Sequence, residues 1–136
     1  MQTQLSCIIF VCMRNTVAKQ AILEILYKSE TALSQTEVQQ ILPQGFCNRV
    51  TIYRVLDRLV KENLIHEITN IDGVVKYANC KKCNKNHSHQ HLHFSCENCN
   101  TVTCIKSVEP QFDLPKEYEI KKINFMVSGI CPSCSR

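Results

Sequence analysis

Apolar residues along the first sixty-odd positions follow a helical period. From Thr16 to about Ser29, Ala18, Ala21, Ile22, Ile25 and Leu26 share one face, with Lys19, Gln20, Glu24 and Lys28 between them. Ser34-Gln35-Thr36-Glu37 is a capping-box pattern, followed on one stripe by Val38, Ile41 and Leu42 and ended by Pro43 and Gly45. Asn48 then caps a helix running to about Glu62. In it Ile52, Val55, Leu56, Leu59 and Val60 make the strongest periodicity in the chain, and Asn63 is the stop. Next, Leu64–Thr69 and Val74–Ala78 read as strands around the turn Asn70-Ile71-Asp72-Gly73. Three helices followed by a hairpin predict a winged helix-turn-helix.

Beyond Ala78 the pattern changes. Cys80–His91 is polar and rich in Lys, Asn, Cys and His, and strand-like segments follow at His91–Cys96, Thr101–Ile105 and Tyr118–Val127. Pro110 and Pro115 leave little room for a helix between the last two. The expected class is α+β: an N-terminal winged helix-turn-helix, then a small β-rich domain. The divisions expected are an extension over 1–13, a winged helix over 14–79, a linker with metal ligands over 80–90, and a β-rich metal-binding domain over 91–136.

Composition narrows this picture. The chain's 136 residues exclude a large multidomain enzyme, and 44% hydrophobic with 21% charged residues argues against wholesale disorder. No stretch is long and apolar enough to cross a bilayer. The apolar run Leu5–Met13 lacks the flanks of a secretory signal, so the chain reads as cytoplasmic. Its 10 cysteines then call for metal rather than disulfides. A net charge of +4 does not by itself establish nucleic-acid binding, which must rest on one particular helix.

Cys96-x-x-Cys99 and Cys131-x-x-Cys134 are the most specific feature. Two such turns bring four thiolates to one ion, a closed tetrahedral shell suited to structural zinc. Redox pairs, an iron–sulfur cluster or core-filling cysteines are the competing readings. A second constellation is His66, Cys80, His91 and His93. His91 and His93 lie two apart on a strand and share a face, while His66 and Cys80 flank the hairpin. Three imidazoles and a thiolate suit zinc better than iron. Because the ligands come from both halves, filling this regulatory site would fix the wing against the β unit. Cys83, His87 or His89 stands close enough to replace one ligand, and solvated linker histidines are the plainer reading. Cys104, on a strand, reads as a small core residue.

On the third helix Arg49, Thr51, Tyr53 and Arg54 cluster near the N-terminal end, with Arg58 and Lys61 beyond and only Asp57 acidic among them. This is where a helix-turn-helix meets the major groove. A solvated amphipathic face is the ordinary alternative.

Arg14-Asn15-Thr16, Ala21-Ile22-Leu23, Val50-Thr51-Ile52-Tyr53-Arg54-Val55-Leu56, His91-Leu92-His93-Phe94-Ser95-Cys96-Glu97-Asn98-Cys99 and Cys131-Pro132-Ser133-Cys134 together resemble the ferric uptake regulator family, over roughly Arg14 to Cys134. The resemblance implies a homodimeric, metal-responsive repressor on AT-rich inverted repeats of double-stranded DNA, with 14–79 as the DNA-binding domain, 91–136 as a dimerisation domain carrying the structural zinc site, and Tyr53 and Arg54 contacting the DNA. Zinc-sensing members look most similar, since His66 and Cys80 match their ligand positions beside His91 and His93. Ala32 and Ala78 stand where iron-sensing members carry a histidine and a glutamate, and Leu92 and Ile123 stand where a third site would need ligands. The longer 80–90 linker and the short Lys106–Lys116 connection depart from the family pattern.

The expected function is a zinc-responsive repressor with two zinc ions per chain, one structural and one regulatory, no catalytic residue, no small-molecule substrate and no membrane partner. An iron- or peroxide-sensing regulator of the same architecture is the nearest alternative. A zinc storage or interaction module, or a zinc hydrolase, is the alternative of another class.

Overall fold

The computed structural model describes residues 3–79 and 91–136, residues 3–15 by their helical backbone alone. Helix α1 spans Thr3–Lys28, so the expected extension over 1–13 runs into the first helix without a break. Strand β1 (Leu33–Ser34) leads into α2 (Gln35–Ile41) and α3 (Arg49–Lys61), and the wing is β2 (His66–Thr69) and β3 (Val75–Ala78).

Local chemistry sets these boundaries. Ser34 accepts from the Glu37 N–H while the Glu37 carboxylate accepts from the Ser34 N–H, the reciprocal capping box read from the sequence. Asn48 accepts from the Thr51 N–H at 2.8 Å and starts α3. Asn63 adopts φ +56°, and the Asn63 and Leu64 N–H groups donate to the Val60 and Leu59 carbonyls, which closes the helix in a Schellman turn. In the wing turn Gly73 takes φ +83°, a conformation that favours glycine.

Ile52, Val55, Leu56 and Leu59 of α3 bury their stripe against Ala18, Ile22 and Leu26 of α1, Val38 of α2, and Ile65 and Tyr77 of the wing. Lys19 of α1 also pairs with Glu62 at the end of α3. The sheet of this unit has the order β1-β3-β2, antiparallel throughout. β1 is a two-residue strand that sequence periodicity does not register.

The second unit is a sheet of order β5-β4-β6: β4 (Leu92–Cys96), β5 (Val102–Ile105) and β6 (Phe125–Gly129). β4 and β5 are antiparallel, whereas β4 and β6 run parallel from Leu92↔Phe125 to Cys96↔Gly129. A parallel pair needs a long connection. The proline-bearing stretch 106–124 supplies it without a helix. The strand expected over Tyr118–Val127 is therefore corrected to Phe125–Gly129. Residues 118–124 run outside the described sheet, and Lys122 and Asn124 reach Glu67 and Thr69 of the wing. Gly129 lies against the Phe94 ring, where an added Cβ would stand 3.3 Å from Cζ.

A narrow seam joins the units. The Ala32 N–H donates to the Val102 carbonyl at 2.8 Å, and Ala32, Ile68, Ala78 and Val102 pack into a small apolar cluster with Cys104 and Met126 at its edge. Lys122 pairs with Glu67 at 3.2 Å on one flank.

Leu56→Ala is expected to destabilise the chain by about 2–5 kcal/mol and Ser34→Ala by about 1 kcal/mol, both measured by denaturant unfolding. A Ser34→Ala protein of unchanged stability would remove the capping box as a contributor.

Candidate metal centres and nucleic-acid interface

The first cysteine turn leaves β4 at Cys96 and returns through Thr101, with the Cys96 N–H donating to the Thr101 carbonyl and the Asn100 N–H to the Cys96 carbonyl. Parallel pairing of β6 with β4 ends at Gly129 beside Cys96, which delivers the second turn, Cys131 to Cys134, to the same place. The four Sγ atoms lie within 4.8 Å of one another, with Cys99 and Cys131 at 3.9 Å. A tetrahedron of sulfurs about 2.3 Å from zinc has edges of about 3.8 Å, so the spacing suits a shared ion and is far too long for a disulfide.

Hydrogen bonds prepare the thiols unequally. N–H groups of Cys99 and Cys131 point at Cys96 Sγ and lower its pKa to about 6. The Thr101 hydroxyl and N–H hold Cys99 below the ordinary thiol range. Cys134 accepts from Asn98, but the neighbouring thiol of Cys131 and burial outweigh that bond and push it up to about 11.

The histidine cluster stands at the seam. His66 on β2 and His91 and His93 of the β unit are 6%, 5% and 3% exposed. His66 Nε2 and His93 Nε2 are 3.2 Å apart, and Cys104 Sγ lies 3.8 Å from His66 Nε2. The ring centroids stand 4.6–5.3 Å from one another. A tetrahedral zinc site has N–N and N–S edges of about 3.3 and 3.6 Å, close to these separations. His93 Nδ1 is buried without a hydrogen-bond partner among the described residues. The donor set of three imidazoles and one thiol fits a borderline-soft ion.

The structure brings together His66, His91 and His93 as the sequence spacing anticipates. Cys80 lies outside the described residues, as do Cys83, His87 and His89. Among the described residues the sulfur within reach is Cys104, which sequence analysis read as a small core residue. Its signal was the hairpin register: a tight turn after Cys96 pairs His93 with Cys104 directly across the sheet, and cross-strand partners share a face. Beside the cluster a crevice of about 320 Å³ runs between Val60, Ile65 and Ile123 and is also lined by Lys122 and Glu67.

On α3, burial of Ile52, Val55, Leu56 and Leu59 turns Arg49, Tyr53, Arg54 and Arg58 to solvent, with Thr51 half-buried at the capped end. Gln35 Nε2 donates to the Arg49 carbonyl at 2.8 Å, tying the start of α2 to the start of α3. Asp57 pairs with Lys61 one turn along, so the basic excess falls on the three arginines.

Comparison with solved structures shows the same fold. The Helicobacter pylori ferric uptake regulator, reported with three functional metal-binding sites, aligns with a TM-score of 0.62 at 19% identity over 97% of this chain and 91% of its own. A zinc uptake regulator complexed with zinc and DNA aligns with a TM-score of 0.64 at 17% identity, covering 99% and 96%. The Francisella tularensis ferric uptake regulator with iron gives 0.58 at 21% identity, covering 88% and 92%. A comparison with curated proteins finds no match. Among the described residues no helix is long and apolar enough to cross a membrane. Residues 11–130 match the ferric uptake regulator family, and the chain belongs to that family of metal-responsive transcriptional regulators, which are not enzymes.

Proposed function

We propose that this chain is a zinc-responsive repressor, cytoplasmic, that binds AT-rich inverted-repeat DNA as a homodimer and holds two zinc ions per chain. The observation that carries the reading is the buried cluster of His66 with His91, His93 and Cys104, because its donors come from both the wing and the β unit. In this reading Cys96, Cys99, Cys131 and Cys134 hold the structural ion. His66, His91, His93 and a thiolate hold the regulatory one. Among the described residues Cys104 is the thiol beside these imidazoles, and Cys80, the sulfur expected from the sequence, lies outside them. When bound, a zinc ion supplies the coordination energy that favours the closed seam; moving that equilibrium from 1:99 to 99:1 takes about 5.5 kcal/mol of preference.

The protein residues then do the rest. His66 carries the wing, and with it α3, into a fixed relation to the sheet. Arg49, Thr51, Tyr53 and Arg54 are the DNA-contacting residues, on the exposed N-terminal half of α3. β6 is an edge strand with Val127 exposed and Ile130 exposed just beyond it, which supports pairing with a second copy. A sulfur donor among imidazoles favours zinc over iron.

Fluorescence anisotropy with a library of AT-rich inverted-repeat duplexes tests this. Zinc is expected to tighten binding at least about tenfold, and His66→Ala combined with Cys104→Ser to abolish that gain. Equal binding with and without zinc, or an unchanged response in the double variant, would overturn the reading. Arg54→Ala is expected to weaken binding and, if its contact is to phosphate, to lower the salt slope by about 1. Cobalt titration of the four-cysteine centre checks its pH dependence. Cys96 is already thiolate at pH 7, whereas Cys134 must lose a proton on binding, so affinity falls as pH is lowered. It falls more steeply below about pH 6, where Cys96 is protonated as well. Equal cobalt affinity at pH 5.5 and 7.5 would contradict these thiol assignments.

A further inference from the structure

Lys76 is a buried lysine far from any proposed ligand role. It lies on β3 between Ser34 of β1 and Ile68 of β2, and its side chain is only 8% exposed. An ammonium withdrawn from water is unfavourable unless fixed partners replace the solvent. Here one partner comes from each unit. Nζ donates to the Asn100 carbonyl at 2.9 Å, and it lies 3.4 Å from the Glu37 carboxylate.

Both partners are themselves anchored. Asn100 follows Cys99 directly, adopts φ +56°, and donates its own N–H to the Cys96 carbonyl, so the orientation of its carbonyl is set by the first cysteine turn. Glu37 is the capping-box acid of α2, and its carboxylate also accepts from the Ser34 N–H at 2.6 Å. Gln35, between Ser34 and Glu37 in sequence, holds the Arg49 carbonyl at the start of α3. A continuous line of polar contacts thus runs from the four-cysteine turn through Lys76 to the helix-turn-helix. It reaches the first residue of the exposed basic face.

We infer that Lys76 is a positioning residue that registers the helix-turn-helix against the four-cysteine centre, by holding the Asn100 carbonyl and the α2 capping box on one buried ammonium. The inference goes beyond the proposed regulatory site, since it involves none of the histidines and holds whichever metal that site takes. Separation of the two units would return Lys76 to water and leave the Asn100 carbonyl without its donor. Lys76 therefore favours one docked register over nearby ones, where an apolar side chain would tolerate sliding.

The Ala32 N–H, bonded to the Val102 carbonyl across the seam, reports docking directly. Amide hydrogen exchange on the full chain in zinc-containing buffer would compare Ala32 with Leu56 in the α3 core and Phe94 in β4. Lys76→Met is expected to speed exchange at Ala32 at least tenfold while Leu56 and Phe94 stay within twofold of wild type, and Lys76→Arg to restore most of the protection at Ala32. Unchanged exchange at Ala32 in Lys76→Met would overturn the inference. Loss at all three positions marks general unfolding. If Lys76→Met does not fold, Glu37→Gln carries the test, because glutamine still accepts from the Ser34 N–H but lacks the charge. Faster exchange confined to Ala32 supports the role, and wild-type exchange there rejects it. This readout needs no DNA, so it stands or falls separately from the repressor reading.

Discussion

The arrangement depends on a seam that is mostly polar. Two small units meet through four buried apolar residues, Ala32, Ile68, Ala78 and Val102, together with a cluster of imidazoles and a buried ammonium. So little apolar area gives weak non-directional attraction. Among the described residues the contacts that hold the units are largely directional: the Ala32–Val102 backbone hydrogen bond, the Lys76 clasp, the Lys122–Glu67 ion pair, the Asn124–Thr69 hydrogen bond and the histidine cluster. Each loses most of its value when misaligned by an ångström or two, and unpaired buried polar groups are costly. Such an interface has one good register and opens easily once a member is removed. A ligand-controlled switch needs that property, and a large hydrophobic interface would deny it.

The winged half was legible in the sequence because its determinants are local. Helical period, two N-caps, an Asn stop and an Asn-x-Asp-Gly turn each act within a few residues, and they agree with one another. The second half was less legible, because its strands are defined by pairing. The alternation of Ile123, Phe125 and Val127 suggested a strand through the whole run, but the parallel register with β4 admits only Phe125 onward. Two-residue β1 is a strand only because β3 lies beside it.

The same division applies to the chemistry. The four cysteines announce themselves by spacing, since each pair is brought together by its own turn. His91 and His93 do so by alternation. Cys104 does not, because it joins the histidines only through cross-strand register with His93. Ala32 makes the complementary point. Its contribution is a backbone N–H to Val102 and a close fit in the seam, neither of which an alanine in a loop signals.

The parallel pairing of β4 with β6 has a consequence for assembly. Most backbone hydrogen bonds of the winged half lie within its three helices, whereas the platform cannot align its last strand until the irregular excursion from Lys106 to Asn124 has been looped back. Non-local closure of that kind is slow, and it pays chain entropy before any pairing rewards it. The last strand of the platform should therefore be the late arrival, and the turn that carries Cys131 and Cys134 arrives with it.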